Sequence, residues 1–309
     1  MASSTKTPAI SVVVFVLNAA STIERSLMSV LSNDQPLVEL LVMDGGSTDG
    51  TVEILNKYAN RIAHWRSYPD GSAVVAINEG VQRATGDIIC LLPADDWVEP
   101  GSLHFVRDRF AENPQLEVLS CGTRFAHFAG DGQLVVDAEF IARSDLEFNM
   151  RRILRCPLTA GRFILRRLYT DLGSYDPKIT MSNDLDFLIR ALLKRPVCET
   201  LPRLVYSYRM HAGSRTLGGN PEMVIQMMRD NIKVAKIHLA DTRLFPEEKN
   251  ELLSMHGRAS ARYAWMLASR RNYRDAAGVL SSTIALNWYW PFQVLFWIAR
   301  RYLWRRSPF

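Results

Sequence analysis

Ile10-Ser11-Val12-Val13-Val14-Phe15-Val16-Leu17, followed by Asn18-Ala19-Ala20-Ser21-Thr22-Ile23-Glu24, decides the fold class. The first eight residues form a near-continuous apolar run of strand length, the pattern of a parallel strand buried on both faces. The residues after it carry the spacing of a capping box, Ser21 to Glu24, opening a helix that runs to about residue 31. Together they make one βα unit, and the unit recurs. Residues 38–43 repeat the strand, 44–50 form a turn rich in Gly and Asp, and 51–59 form a helix. Residues 61–66 give a third strand, with Ser72 capping a helix that reaches Ala84, and residues 88–92 give a fourth strand. Such alternation predicts a parallel sheet with crossover helices.

Beyond the fourth strand the order changes. Residues 116–125 and 133–137 flank Gly130-Asp131-Gly132, a hairpin signal that makes the sheet mixed. A helix is expected over 184–194 and a strand over 199–209, and from Pro221 onward the pattern is helical. Two glycines before Pro221 place a boundary near residues 217–220, dividing the chain into 1–217 and a helical region, 218–309.

The 309 residues are 48% hydrophobic and 22% charged, a globular composition that excludes disorder. Cys90, Cys121, Cys156 and Cys198 form no CxxC pair, so neither a disulfide framework nor a zinc site is expected. With no signal-peptide pattern at the first residues, a cytoplasmic location is the expectation. The formal charge of +5 sits in the tail: Trp290 to Phe309 holds four arginines and no acid, leaving 33 basic against 32 acidic groups before it. So neutral a body gives no footprint for nucleic acid.

The acids fall in a pattern. Asp44 follows the second strand, Asp70 the third, and Asp95-Asp96 the fourth. The carboxyl ends of parallel strands share one rim, so these side chains converge on one crevice. Clustered carboxylates repel unless a cation lies among them, and Mg²⁺ is usually held by one or two carboxylates plus substrate phosphates. A diphosphate substrate with a divalent metal satisfies both conditions. Any one of these acids taken alone is equally a turn former or a helix cap.

The same residues carry a family resemblance. The run from Ile10 to Asn18, Val42-Met43-Asp44-Gly45-Gly46-Ser47-Thr48-Asp49-Gly50-Thr51, Pro69-Asp70-Gly71, Ala76-Ile77-Asn78-Glu79-Gly80, and Leu92-Pro93-Ala94-Asp95-Asp96-Trp97 resemble, in order and spacing, family 2 glycosyltransferases. The resemblance covers about the first 215 residues. It implies an α/β, GT-A-like doubly wound mixed sheet with a C-terminal helical extension. It also implies a nucleotide-sugar donor (a UDP-sugar first), Mg²⁺ or Mn²⁺, and inversion at the anomeric carbon. On the donor side it implies roles for Asn18, Asp44, Asp70, Asn78 and Asp95, with Asp96 as metal ligand. Asn78 has packing within its helix as the alternative. Many relatives carry a second Asp at the position of Gly45, and a Thr two or three residues before Asn18, where this chain has Phe15 and Val16.

Ser182-Asn183-Asp184-Leu185-Asp186-Phe187 resembles the segment in which the family places its catalytic carboxylate. Asp184 is the expected general base, with Asp186 the competitor and a helix N-cap the purely structural alternative. Tyr208-Arg209-Met210-His211 resembles the family's closing motif, which makes His211 a candidate ligand for the metal and Arg209 a candidate counter-charge for phosphate.

Between Asn287 and Phe309 nine aromatic residues lie among four arginines. The stretch is too short and too interrupted to span a bilayer, and it has the composition of an interfacial helix, which would suit a lipid-linked acceptor as well as a saccharide. A helix packed on protein is the alternative. Among other classes, a nicotinamide dehydrogenase needs glycines after the first strand, where Asn18-Ala19-Ala20-Ser21 has none. A nucleotidyltransferase needs a glycine-rich basic loop there, also missing. A non-catalytic nucleotide-sugar-binding scaffold, using its helical tail to bind a partner, is the remaining alternative, and the retained acids weigh against it.

Overall fold

The computed structural model describes residues 7–33, 37–211, 213 and 220–291. Strand β1 is Ile10–Val16, followed by helix α1 (Ile23–Leu31), β2 (Val38–Asp44), α2 (Thr51–Lys57), β3 (His64–Ser67), α3 (Ala73–Arg83) and β4 (Ile88–Pro93). Then come β5 (Trp97–Val98), α4 (Ser102–Glu112), β6 (Val118–Phe128), β7 (Leu134–Phe140), α5 (Arg143–Leu146), α6 (Met150–Ile153), β8 (Arg162–Leu165) and α7 (Arg166–Leu172). Helix α8 (Asn183–Leu193) and β9 (Cys198–Arg209) complete the sheet, and α9 (Pro221–Leu239), α10 (Pro246–Ser269) and α11 (Tyr273–Leu286) form the helical region.

Among the described residues the strands make one sheet ordered β3-β2-β1-β4-β8-β6-β9-β5, with β7 paired to β6. The first four are parallel, and β8 runs antiparallel to both β4 and β6. The expected hairpin is β6–β7. Alternation along β1 shows why the strand is apolar throughout. Val13 packs with Ile77 and Leu188 on one side, while Val12, Val14 and Val16 pack with Leu27, Val30 and Leu103 on the other. At roughly 1.5–3 kcal/mol per buried aliphatic side chain, a polar substitution on either face is costly.

The helical region does not stand apart. Val234 and Ala235 of α9 and Leu252 and Met255 of α10 belong to the same core cluster as Val13. A smaller cluster holds α9, α10 and α11 together through Ile225, Met228, Tyr263 and Ala276. The proposed boundary at 217 therefore separates topology rather than cores.

One local expectation is corrected and another holds. Thr22, the N-cap of α1, makes no side-chain cap hydrogen bond; its hydroxyl donates to Ala19 O instead, so the Ser21–Glu24 capping box is absent. Ser72 does cap α3, accepting from Val74 N at 3.1 Å. The short β5 and β8 and helices α4 to α7 were not foreseen. The interfacial helix expected from residue 292 lies outside the described residues, and among those described no helix is long and apolar enough to cross a membrane.

Candidate active site

The register aligns the carboxyl ends of the parallel strands. Val16 pairs with Asp44, Asp44 with Ser67, and Phe15 with Pro93, so the loops after β1, β2, β3 and β4 open on one rim. The acids read from sequence are gathered there, but they divide into closed and open groups.

Asp44 is fully buried. Its carboxylate accepts from Gly46 N, Ser47 N, the Ser47 hydroxyl and the Ser67 hydroxyl, and so shapes the loop after β2. Gly46 has φ 87°, and a Cβ there would stand 2.8 Å from Pro69 N, so only glycine fits. Asn18, also at positive φ (51°), clips the two loops together: its amide N donates to Ser47 Oγ at 2.7 Å and its Oδ1 accepts from Thr48 N at 2.9 Å. Asp70 is ion-paired with Arg66 at 2.9 Å, both side chains being nearly closed to solvent. Its Oδ1 would lie 3.3 Å from a Cβ at Gly45, so the second Asp that many relatives carry would meet a like charge here. Arg66, which the sequence did not single out, also binds Glu79 and Asp44 O, and its Nη2 is buried without a partner. A buried guanidinium nitrogen left open at the rim suits a polar ligand edge. The Asn78 carboxamide is engaged at both ends with Tyr175, donating to Tyr175 O and accepting from Tyr175 N, each at 2.8 Å, the geometry of the packing alternative.

The two members of the Asp95-Asp96 pair differ in their surroundings. Asp96, expected as the metal ligand, is 1% exposed and has both oxygens occupied: Arg209 N donates to Oδ1 at 2.9 Å and the Tyr206 hydroxyl to Oδ2 at 2.7 Å. Burial, reinforced by the neighbouring Asp95 charge, pushes its carboxyl well above the usual range against those two bonds. Asp96 thus ties the turn after β4 to β9. Asp95 points the other way, about one-third exposed, with its Oδ2 2.8 Å from His211 Nε2. A carboxylate and an imidazole side by side and open to solvent fit the donor set of Mn²⁺ or Mg²⁺ that completes its shell with phosphate oxygens and water. Among the described residues no group of three or more His, Cys, Asp or Glu is gathered to hold a metal.

Asp184 and Asp186 separate equally clearly. Asp186 is buried, its Oδ2 accepting from Arg190 Nε and its Oδ1 lying 2.8 Å from His238 Nε2. Burial opposes its charge, but the His238 bond and Arg190 together hold its carboxyl below the usual range. That pair fastens α8 to α9. Asp184 lies within the first turn of α8, whose N-cap is Ser182, and accepts from Leu185 N at 2.7 Å. It keeps a solvent-facing edge, yet the protein packed around the carboxyl pushes its pKa up to about 7. A carboxyl so poised exchanges its proton near neutrality, as a general base must. The loop into α8 is braced by α9: Asp230 accepts from Thr180 N and Met181 N, and Ser182 donates to Asn231 Oδ1. No spacing in the sequence announces that brace, because its two halves lie about fifty residues apart.

A rim of strand ends bearing Asp44, Asp70 and Asp95, an Asp95–His211 pair facing solvent and a carboxyl poised near neutrality thus lie on one mixed sheet. The model of glycosyl transferase family 2 matches residues 11–172, and the chain belongs to that family. An uncharacterized glycosyltransferase of Mycobacterium tuberculosis is 29% identical over 201 residues, 63% of this chain and 72% of that protein. The hyaluronan synthase of Pasteurella multocida is 28% identical over 220 residues, 69% of this chain but 21% of the synthase. Among solved structures, residues 1–349 of S. aureus TarS in complex with UDP-GlcNAc superpose with TM-score 0.58 at 17% identity, covering 89% of this chain and 91% of that one. A mannosyltransferase from Pyrobaculum calidifontis in complex with GDP-Man and Mn²⁺ gives TM-score 0.59 at 20% identity, covering 97% and 88%.

Proposed function

We propose that the protein transfers a sugar from a nucleoside diphosphate-sugar, a UDP-sugar first, to a hydroxyl acceptor with inversion, in the assembly of a polysaccharide or glycolipid. Residues 1–217 form the catalytic unit and 218–309 its helical extension. The observation that carries this assignment is the open Asp95–His211 pair on the rim shaped by Asn18, Asp44 and Asp70.

Asp184 accepts the proton of the acceptor hydroxyl as the hydroxyl oxygen bonds to the anomeric carbon. The bond from that carbon to the diphosphate breaks, and its electron pair leaves with the nucleoside diphosphate. Attack opposite the leaving group inverts the centre. Asp95 and His211 would hold Mg²⁺ or Mn²⁺, which supplies positive charge to the phosphate oxygens when bound. Arg66, Asp70 and the loop built on Asp44 and Asn18 position the nucleoside. The complexes of TarS with UDP-GlcNAc and of the mannosyltransferase with GDP-Man and Mn²⁺ support a nucleotide-sugar and a metal here.

The test is a panel of UDP-, GDP- and dTDP-sugars scored for Mn²⁺-dependent thermal stabilisation and hydrolysis. One nucleotide should raise Tm only when metal is present. A chain that a nucleotide-sugar stabilises but that hydrolyses none would be the non-catalytic scaffold, and one that no nucleotide-sugar stabilises overturns the donor assignment.

A further inference from the structure

A small cleft, partly open to solvent and with room inside for little more than a water-sized group, lies between β6, β8 and the segment joining β7 to β8. Its walls include Ser120, Thr123, Asp145, Arg152, Cys156 and Arg162. The pairing fixes its height on the sheet. Ile89 of β4 pairs with Ile164 of β8, Ile164 with Val118 of β6, and Arg162 with Ser120, which sets the cleft level with the carboxyl end of β4. It is therefore on the same rim as the donor-side acids, displaced toward the middle of the sheet. Cys156 and Arg162 both lie within electrostatic reach of Asp184.

Arg162 is 7% exposed and makes no ion pair among the described residues; its guanidinium donates to Leu158 O, and its Nε has no partner. Ser120, 1% exposed, has an unpartnered hydroxyl on the same wall. Arg152, by contrast, is occupied by Asp145 at 3.3 Å. A buried cation with no carboxylate in contact is costly, and buried donors without acceptors are rare in folded proteins. The backbone accepts further constraint to keep Arg162 there. Gly161 before it has φ 72°, and a Cβ on it would stand 2.8 Å from Cys121 O.

We propose that this cleft binds an anionic group, a carboxylate or phosphate, carried by the acceptor saccharide, with the Arg162 guanidinium and the Ser120 hydroxyl as its donors. The acceptor class so named, an acidic saccharide, rests on the assignment of Asp184 as the base on the acceptor side. A guanidinium offers a carboxylate or phosphate a planar fork of N–H donors, and the bound anion supplies a contacting counter-charge where Asp184 acts only at longer range.

The experiment is isothermal titration calorimetry on the full chain with glucuronate, glucose 1-phosphate and neutral glucose, and separately with UDP and Mn²⁺. Glucuronate or glucose 1-phosphate should bind at least ten-fold more tightly than glucose, the arm that binds tells carboxylate from phosphate, and the advantage should shrink as salt rises. Arg162→Met should abolish the advantage, retain UDP affinity, and leave Tm unchanged or higher. If that variant fails to fold, Cys156→Asp places a tethered carboxylate on the partly exposed wall and should abolish the advantage by occupying the cleft. Acidic sugars that bind no better than glucose to the wild-type chain overturn the proposal, as does an advantage that persists in Arg162→Met or in Cys156→Asp. Failure to bind UDP overturns the donor assignment alone, since the sugar titrations judge the cleft without it.

Discussion

At the scale of single residues, adjacent or near-adjacent acids have opposite fates. Asp184 must be ionised to accept a proton, and burial holds its pKa up to about 7, so kcat should rise with pH through that value and level off above it. Asp184→Asn should retain donor affinity and lose roughly 10²–10⁴-fold in kcat. The same shift acts on stability. The folded chain binds a proton that the unfolded chain has released between about pH 4 and pH 7, so this carboxyl makes the fold less stable as pH rises through that window. Denaturant titrations across it should show a shallower fall in Asp184→Asn. For the other pair, Asp95→Ala should weaken Mn²⁺-dependent nucleotide binding at least ten-fold with little change in Tm. Asp96→Ala should instead lower stability by about 2–4 kcal/mol, since it strands the Tyr206 hydroxyl and Arg209 N. Unchanged metal dependence in Asp95→Ala would remove Asp95 from the metal site. The sequence located both pairs but carried no sign of which acid in each is enclosed. Which of two consecutive residues turns inward is set by a strand that arrives more than a hundred residues later.

Among the elements, the parallel half of the sheet was legible because strands covered on both faces must be apolar along their whole length. The second half was less so. β5 has two residues and β8 four, one of them the buried Arg162, and neither length gives a periodic signal. Helix α8 was legible from its amphipathic spacing, yet the sequence left Asp184 and Asp186 as competitors. Two positions apart on a helix point to different sides, and only the packing of α9 tells which side is inside. Asp186→Ala should therefore cost about 3–5 kcal/mol in denaturant unfolding, because it leaves His238 and Arg190 facing an empty buried site. A loss of turnover in Asp186→Ala without loss of stability would return that residue to the candidate bases. Arg66 and Arg162 escaped notice because a lone arginine in a strand-like run looks like an edge residue; nothing local distinguishes one that is buried.

Over the whole molecule, the helical region supports the proposed base, since α9 braces the loop that carries Asp184 through Asp230 and Asn231. The tail beyond it is a different matter. Trp288 and Tyr289, where the described residues end, are more than half exposed, and the composition beyond them predicts binding to anionic liposomes that weakens with salt, at about 1 kcal/mol per arginine near the surface. Co-sedimentation of the full chain and of a chain ending at Pro291 checks this: equal pelleting of both, or none at any salt concentration, overturns it.

The Asp96 clamp also sets a timetable. Its partners are 110 and 113 residues downstream, so on a ribosome adding 5–20 residues per second the carboxylate waits roughly 6–23 s for them. During that interval the β1–β4 half has emerged with its rim unfinished, and Asp95 has no histidine beside it. A nascent chain paused before β9 holds the loops after β1, β2 and β3 while the turn after β4 is still untied, so on the proposed reading competence to engage a donor is acquired late in synthesis, when β9 threads between β6 and β5.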